Sequence, residues 1–219
     1  MSISLVVATA SGSTDGHNFT TAAINTSGAS LLVVALAQYN VGGTITDSFS
    51  NTWVKMTEYT GGAGGTSDGV VLLYCAHPTV GAGHTFTTTG DGYPALAVAA
   101  FSGTLDAQAA EFDEGTANGS ATTIQPGSKT PANNNEVVVT AVTTNTAAGT
   151  FAIDSSFLIA AQVSTVGNQH VAAGLGYIVQ TTAGAVNPTW SGVTGYAVAM
   201  TSFQAAAVAI QGDAITMVL

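Results

Sequence analysis

Leu31-Leu-Val-Val-Ala-Leu36 has a counterpart in Val137-Val-Val-Thr-Ala-Val142 at an offset of 106, and Asp47-Ser48 has one in Asp154-Ser155 at 107. Leu73-Tyr74 through Thr79-Val-Gly81 aligns with Gly176-Tyr177 through Thr182-Ala-Gly184 at 103, and Ala97–Phe101 with Ala199–Phe203 at 102. The order is kept while the offset drifts by a few residues, as loops of unequal length would produce. Chance matches in a chain rich in Ala, Thr and Gly are the competing explanation. The repeat spans approximately 20–103 and 122–203. Neither half has enough core alone, so closing one against the other is the expected solution.

Within each half the signals are those of strands, short β-branched or aromatic runs bounded by Gly, Asn, Asp, Ser and Pro. Leu31–Tyr39, Val70–Cys75, His84–Thr89, Ala95–Phe101, Glu136–Val142, Val171–Val179 and Tyr196–Phe203 read this way. The loops 61–69, 89–94, 115–120 and 131–135 are too rich in Gly and Asn to continue a helix. In His84–Thr89, His84 and Phe86 share one face and Thr85 and Thr87 the other, a half-buried antiparallel pattern. Ala95–Phe101 is apolar on both faces, which calls for a central strand or one covered by a neighbouring subunit. Residues 105–115, with Leu105, Ala109 and Phe112 at helical spacing, admit a short helix or a crossover strand between the halves.

The expectation is therefore one all-β domain over residues 1–219, an antiparallel β-sandwich built from two sequence-related halves. The apolar C-terminal tail, 205–219, is expected to complete a sheet or to pack into an oligomer interface, because an unheld terminus of this kind frays. The N-terminus lacks a positive region before its short apolar stretch and reads as a strand rather than a signal peptide. No apolar run approaches the roughly 18 residues that cross a bilayer, so a soluble protein made without classical secretion is expected.

Charge narrows the partners. Only 6% of the residues are charged, the net charge is −10, and Lys55 and Lys129 are the only basic residues. A surface that binds phosphate needs clustered Lys and Arg, so neither nucleic acid nor an anionic membrane is an expected partner. The single cysteine, Cys75, has no partner for an internal disulfide and reads as a buried thiol.

Few constellations carry chemistry. His17, His77, His84 and His170 lie far apart without metal-ligand spacing, so no metal or other cofactor is expected. Asp15, Asp47, Asp68, Asp91, Asp154 and Asp213 sit beside Gly, Ser or Thr, as turn-capping residues do. Glu58 and Glu136 are the nearest approach to a cleft pair for glycosidase chemistry, but each is single and unsupported. Asp106, Glu111, Asp113 and Glu114 read as a solvated acidic linker in preference to a calcium site. A nucleophile elbow is missing, since Gly12-Ser-Thr-Asp-Gly16 places Thr where Ser belongs. The Gly-rich loops 42–43 and 61–65 lack the Lys and following helix of a phosphate cradle. No catalytic residue is assigned and the chain is read as a non-enzyme.

Trp53, Trp190, Tyr39, Tyr59, Tyr93 and Tyr196 are the aromatics that a ligand could stack on. Loops 39–47 and 89–94 place polar side chains beside such rings, which makes Tyr39, Trp53 and Tyr93 the candidate glycan-binding residues. For Trp53 and Trp190 a core position is the preferred reading, because Trp190 falls near the repeat equivalent of Phe86.

Asp47-Ser-Phe-Ser-Asn-Thr-Trp53, Val71-Leu-Leu-Tyr-Cys-Ala-His-Pro78, Gly83-His-Thr-Phe86 and Tyr93-Pro-Ala-Leu-Ala-Val-Ala-Ala-Phe-Ser-Gly103 together resemble a pattern of jelly-roll (concanavalin A-like) domains in bacteriophage virion surface proteins. The resemblance covers roughly residues 20–105, and the second half only through the repeat. Where the pattern has Gly before Asn-x-Trp, this chain has Ser50. The resemblance implies a capsid decoration (cement) protein or a head- or tail-fibre component, assembled in the host cytoplasm onto the virion surface. Its implied partners are copies of itself, with a trimer favoured, and other virion proteins such as the major capsid protein. A carbohydrate-binding module or adhesin using the loop aromatics is the alternative.

Overall fold

The period-two runs are strands, and every pairing between them is antiparallel. The structure is a computed structural model that describes residues 2–39, 42–61, 68–90, 92–104, 109–144, 150–164, 171–192 and 194–206. The first half supplies β1 (Ser4–Gly12), β2 (Leu31–Tyr39), β3 (Thr44–Asp47), β4 (Val54–Lys55), β5 (Tyr59–Gly61), β6 (Asp68–Ala76), β7 (Phe86–Thr89) and β8 (Ala95–Ser102). The second supplies β9 (Glu114–Ala121), β10 (Glu136–Thr144), β11 (Ala152–Ile153), β12 (Leu158–Ser164), β13 (Ala172–Gln180), β14 (Trp190–Ser191) and β15 (Gly195–Gln204).

Two large sheets dominate the described residues. The first runs β1-β8-β2-β6-β4, with β5 also on β6, and the second runs β12-β13-β10-β15-β9. Read from its β9 end, the second repeats the succession of the first, and a two-stranded sheet, β3-β7 or β11-β14, accompanies each. The registers agree as well. Leu31 lies opposite Ala76 and Phe101, while Val137 lies opposite Val179 and Phe203. The sequence offsets of 106, 103 and 102 carry one set of partners onto the other. Among the described strands, the chain passes from one large sheet to the other only after β8.

The two large sheets face each other, with β1 over β12 and β5 over β9. Alternation along β2 divides its buried side chains: Leu31, Val33, Ala35 and Ala37 enter the cluster between the sheets, and Leu32, Val34 and Leu36 a second cluster outside. The small sheet β3-β7 closes that outer cluster with Ile45 and Phe86. On the other side Phe151 and Trp190 cover Val142 and Val198 in the same way. The strands that read as apolar on both faces are therefore covered by this chain itself, so their pattern needs no neighbouring subunit.

Trp190 and Phe86 hold equivalent places over different floors. A Cβ on Gly174 or Gly176 would come within 3.3 Å or 3.0 Å of the Trp190 ring, whereas Phe86 shares its cluster with Val71 and Leu73 at the matching positions. The larger ring sits over the two glycines, as complementary packing requires.

Residues 109–113 form no helix and Glu114 opens β9; Leu105 and Asp106 lie outside the described residues. The N-terminal run is strand β1 and Cys75 is buried. Ala206 donates its N–H to Gly103 O at 2.8 Å, while tail residues 207–219 lie outside the described residues. No helix among the described residues is long and apolar enough to cross a membrane.

Candidate functional site at the Asp47 turn

The residues that carry the sequence motif converge on one carboxylate. Asp47 ends β3, and its Oδ1 accepts the backbone N–H of Phe49 at 2.9 Å and of Asn51 at 3.3 Å. Its Oδ2 accepts the Trp53 indole N–H at 2.7 Å. This is an Asx-type turn, in which a short acidic side chain replaces backbone partners that the chain reversal removes. The turn passes through Ser50 at φ 59°, the left-handed region that favours glycine. Asn51 then ties the turn to the loop after β6, donating to Thr79 O at 3.0 Å and accepting Thr79 N–H at 2.6 Å. Ser48 Oγ accepts the N–H of Thr85 at 3.1 Å.

His84 completes the centre. Its Nδ1 is 2.9 Å from Thr26 Oγ1 and its Nε2 is 3.2 Å from Asp47 Oδ1. The second contact is close without forming a hydrogen bond, and through it the Asp47 charge favours the protonated ring. The imidazole stacks on Phe86, with centroids 4.4 Å apart, and meets Phe49 at 4.5 Å. Burial holds its pKa below the ordinary histidine value, outweighing the opposing pull of Asp47. We assign the neutral ring its proton on Nε2, facing the carboxylate, which leaves Nδ1 to accept the Thr26 hydroxyl.

Hydroxyl, imidazole and carboxylate in contact are the parts of an activated nucleophile. Here Thr26 and His84 are both 0% exposed, so solvent does not reach the hydroxyl. The arrangement holds instead: it joins the segment around Thr26, the turn at 47–53 and β7 into the cover over the first sheet. Sequence reasoning placed Asp47 and Trp53 in one motif and His84 in another, and missed both their convergence and the role of Thr26. The spacing Asp-x3-Asn-x-Trp was the available signal, since it fits one self-capped turn.

The three glycan candidates do not form one platform. Tyr39 and Tyr93 come together at one end of the first sheet, where Tyr39 N–H donates to Gly92 O at 2.7 Å and Tyr93 N–H to Gly16 O at 3.2 Å. The Tyr93 ring lies over Gly16, where a Cβ would come within 2.8 Å of it. Tyr39 is level with Asp68 on β6 and Val54 with Tyr74, so Trp53 stands near the other end. Six residues of strand amount to roughly 20 Å. Trp53 packs edge-on against Phe86, 6.1 Å between centroids, and Trp190 is 1% exposed, its Nε1 donating to Thr140 at 3.1 Å. The side chain of Tyr196 lies outside the described residues.

The acidic residues cap and clasp. Asp113 accepts Thr57 N–H at 2.7 Å and the Tyr59 hydroxyl, joining β5 to the start of β9. Burial and the Asp113 charge push the Tyr59 phenol up to about 12. Glu114 pairs with Lys129, and Glu58 with Lys55 at 3.1 Å. Glu111 accepts Asn133 Nδ2–H at 2.7 Å, and the fully buried Glu136 accepts Asn133 N–H at 2.8 Å. Burial raises the pKa of Glu136, and Glu111 adds to the rise. Asp91, Asp106, Asp213, His170 and loop 62–67 lie outside the described residues. Among the described residues, no three His, Cys, Asp or Glu side chains gather as metal ligands.

No family model, curated protein or solved structure matches this chain.

Proposed function

We propose that this protein is a non-enzymatic structural module of a bacteriophage particle surface, a capsid decoration (cement) protein or a head- or tail-fibre component. The observation that carries this reading is that the motif residues resembling virion domains, Asp47, Asn51, Trp53 and His84, meet at one self-capped turn. In this reading their chemistry serves architecture. The shared strand order and register of the two sheets support the two-halves reading of the sandwich, while the jelly-roll name rests on the resemblance alone.

The docking face is the outer surface of the first cover. Thr20, Thr87 and Thr46 stand in one cross-strand row, with the Thr20 and Thr87 hydroxyls 2.8 Å apart and Thr44 beside Thr89 in the next row. A threonine-lined face of this kind suits packing against further copies, with a trimer favoured, or against the major capsid protein, because little charge must be desolvated. Virion localisation belongs to the same proposal.

Sedimentation with capsids of the cognate phage tests the reading. We expect the wild type to co-sediment and a Thr46→Lys, Thr87→Lys double variant to lose at least tenfold in capsid affinity while keeping its fold. Binding to a glycan array that disappears with Tyr93→Ala, without capsid binding, would establish the carbohydrate-binding alternative instead.

A further inference from the structure

The chain passes from the first large sheet to the second between β8 and β9, and residues 109–113 of that passage form a strap fastened on both sides. Ala110 N–H donates to the Tyr74 hydroxyl of β6 at 3.3 Å, and Glu111 N–H to Ser202 O of β15 at 3.1 Å. The Glu111 side chain takes a further hold on the loop before β10. Its Oε1 accepts Asn133 Nδ2–H at 2.7 Å and its Oε2 the Ala132 N–H at 2.9 Å. Asn133 in turn donates its backbone N–H to Glu136 Oε1 at 2.8 Å. One asparagine thus holds two carboxyls together, and that of Glu136 is 0% exposed.

No lysine offsets this pair. Lys129 is engaged with Glu114 and Lys55 with Glu58. On the face that carries Glu136, β13 brings Gln180 and β15 brings Gln204 directly opposite, with Ser202 one pair further on, and none of these changes charge with pH. The strap brings Glu111, which among the described residues is the titratable group that acts on Glu136 through its charge, while Asp113 is taken up by Thr57 and Tyr59. Glu136 Oε2 and Ser202 Oγ are buried without a hydrogen bond. A buried carboxylate oxygen in that position is costly, and a second carboxylate beside it raises the cost. A proton on Oε2 removes the charge and supplies a donor where the Glu111 carboxylate and the Ser202 hydroxyl can accept.

We propose that Glu136 is a proton lock for the strap: with a proton on Oε2 it accommodates the Glu111 carboxylate at loop 131–135, and loss of that proton sets two negative charges together and releases the Glu111 side chain. The direction follows from burial, which favours the neutral acid. The folded chain keeps the proton where the unfolded chain has lost it, so the lock is closed below the ordinary 4.5 and opens as pH rises through the higher folded value. This proposal does not depend on the virion reading.

A carboxyl-detected NMR titration of the full chain tests it, read together with hydrogen exchange of the Ala132 and Glu111 amides corrected for the intrinsic rise of exchange with pH. We expect the protection of both amides to fall tenfold or more through the midpoint at which Glu136 loses its proton. Glu136→Gln, whose side chain stays neutral, should keep that protection across the same range. Glu111→Gln removes the like charge and should lower the Glu136 midpoint by about one pH unit. A Glu136 midpoint unmoved by Glu111→Gln, or amide protection that does not follow the midpoint, would overturn the proposal. So would protection of these amides by added calcium at neutral pH, which would make the carboxyl pair a cation site. If Glu136→Gln does not fold, the midpoint in Glu111→Gln, a substitution at a half-buried position, decides alone.

Discussion

Trp53 and Asp47, the last and first residues of one turn, are joined by a 2.7 Å hydrogen bond from the indole to the carboxylate. The bond matters because the same carboxylate also holds the turn's backbone and stands 3.2 Å from His84. Asp47→Ala would leave several donors unpartnered and cost about 3–4 kcal/mol. Asp47→Asn keeps an acceptor and would lose less. Urea unfolding followed by tryptophan fluorescence measures both.

Ser50 carries φ 59° in that turn, a conformation costing an L-residue roughly 1–2 kcal/mol. Ser50→Gly removes the cost but adds chain entropy to the unfolded state, so a net gain of about 0.5–1 kcal/mol is expected. Thermal unfolding of the variant against the wild type reads it. An unchanged or lower midpoint would refute strain at this residue.

The pH dependence of stability should carry the signature of His84. Its folded pKa lies below the ordinary 6.5, so between the two values the unfolded chain holds the extra proton and stability rises with pH. The contribution is fully present above 6.5 and is lost as pH falls through the folded value. Glu136, raised above the ordinary 4.5, acts in the opposite sense: its contribution is present below 4.5 and is lost as pH rises toward its folded value. Subtracting the stability profile of His84→Gln from that of the wild type isolates the histidine. We expect the difference to shrink from pH 7 toward pH 5.

Gly176 gives Trp190 its place. A Cβ there would lie 3.0 Å from both Ile153 Cδ1 and Trp190 Cζ2, so Gly176→Ala should cost about 1–3 kcal/mol by overpacking. Adding Trp190→Phe should recover part of that loss. A double-mutant cycle with no coupling would contradict the contact.

Much of the fold is legible in the sequence. Strand positions followed from period two, and Ala95–Phe101 announced its two covered faces. What the sequence left open was how those faces are covered, because an apolar face shows that a cover exists and not which segment supplies it. β3, four residues long, and β11, two residues long, are too short to announce themselves as covers. At the site, Asp47 was read as a turn residue and Trp53 as either a core residue or a stacking platform. The two meanings merge in one hydrogen bond that spacing alone did not reveal.

By itself the sequence determined an antiparallel, weakly charged β protein, because alternation, turn residues and charge are local properties of the chain. Only the tertiary structure decided that Thr26, Asp47 and His84 meet and that Tyr39 and Tyr93 stand apart from Trp53. Each of these depends on which distant segments lie side by side, which is fixed by sheet order and register and not by any local run of residues.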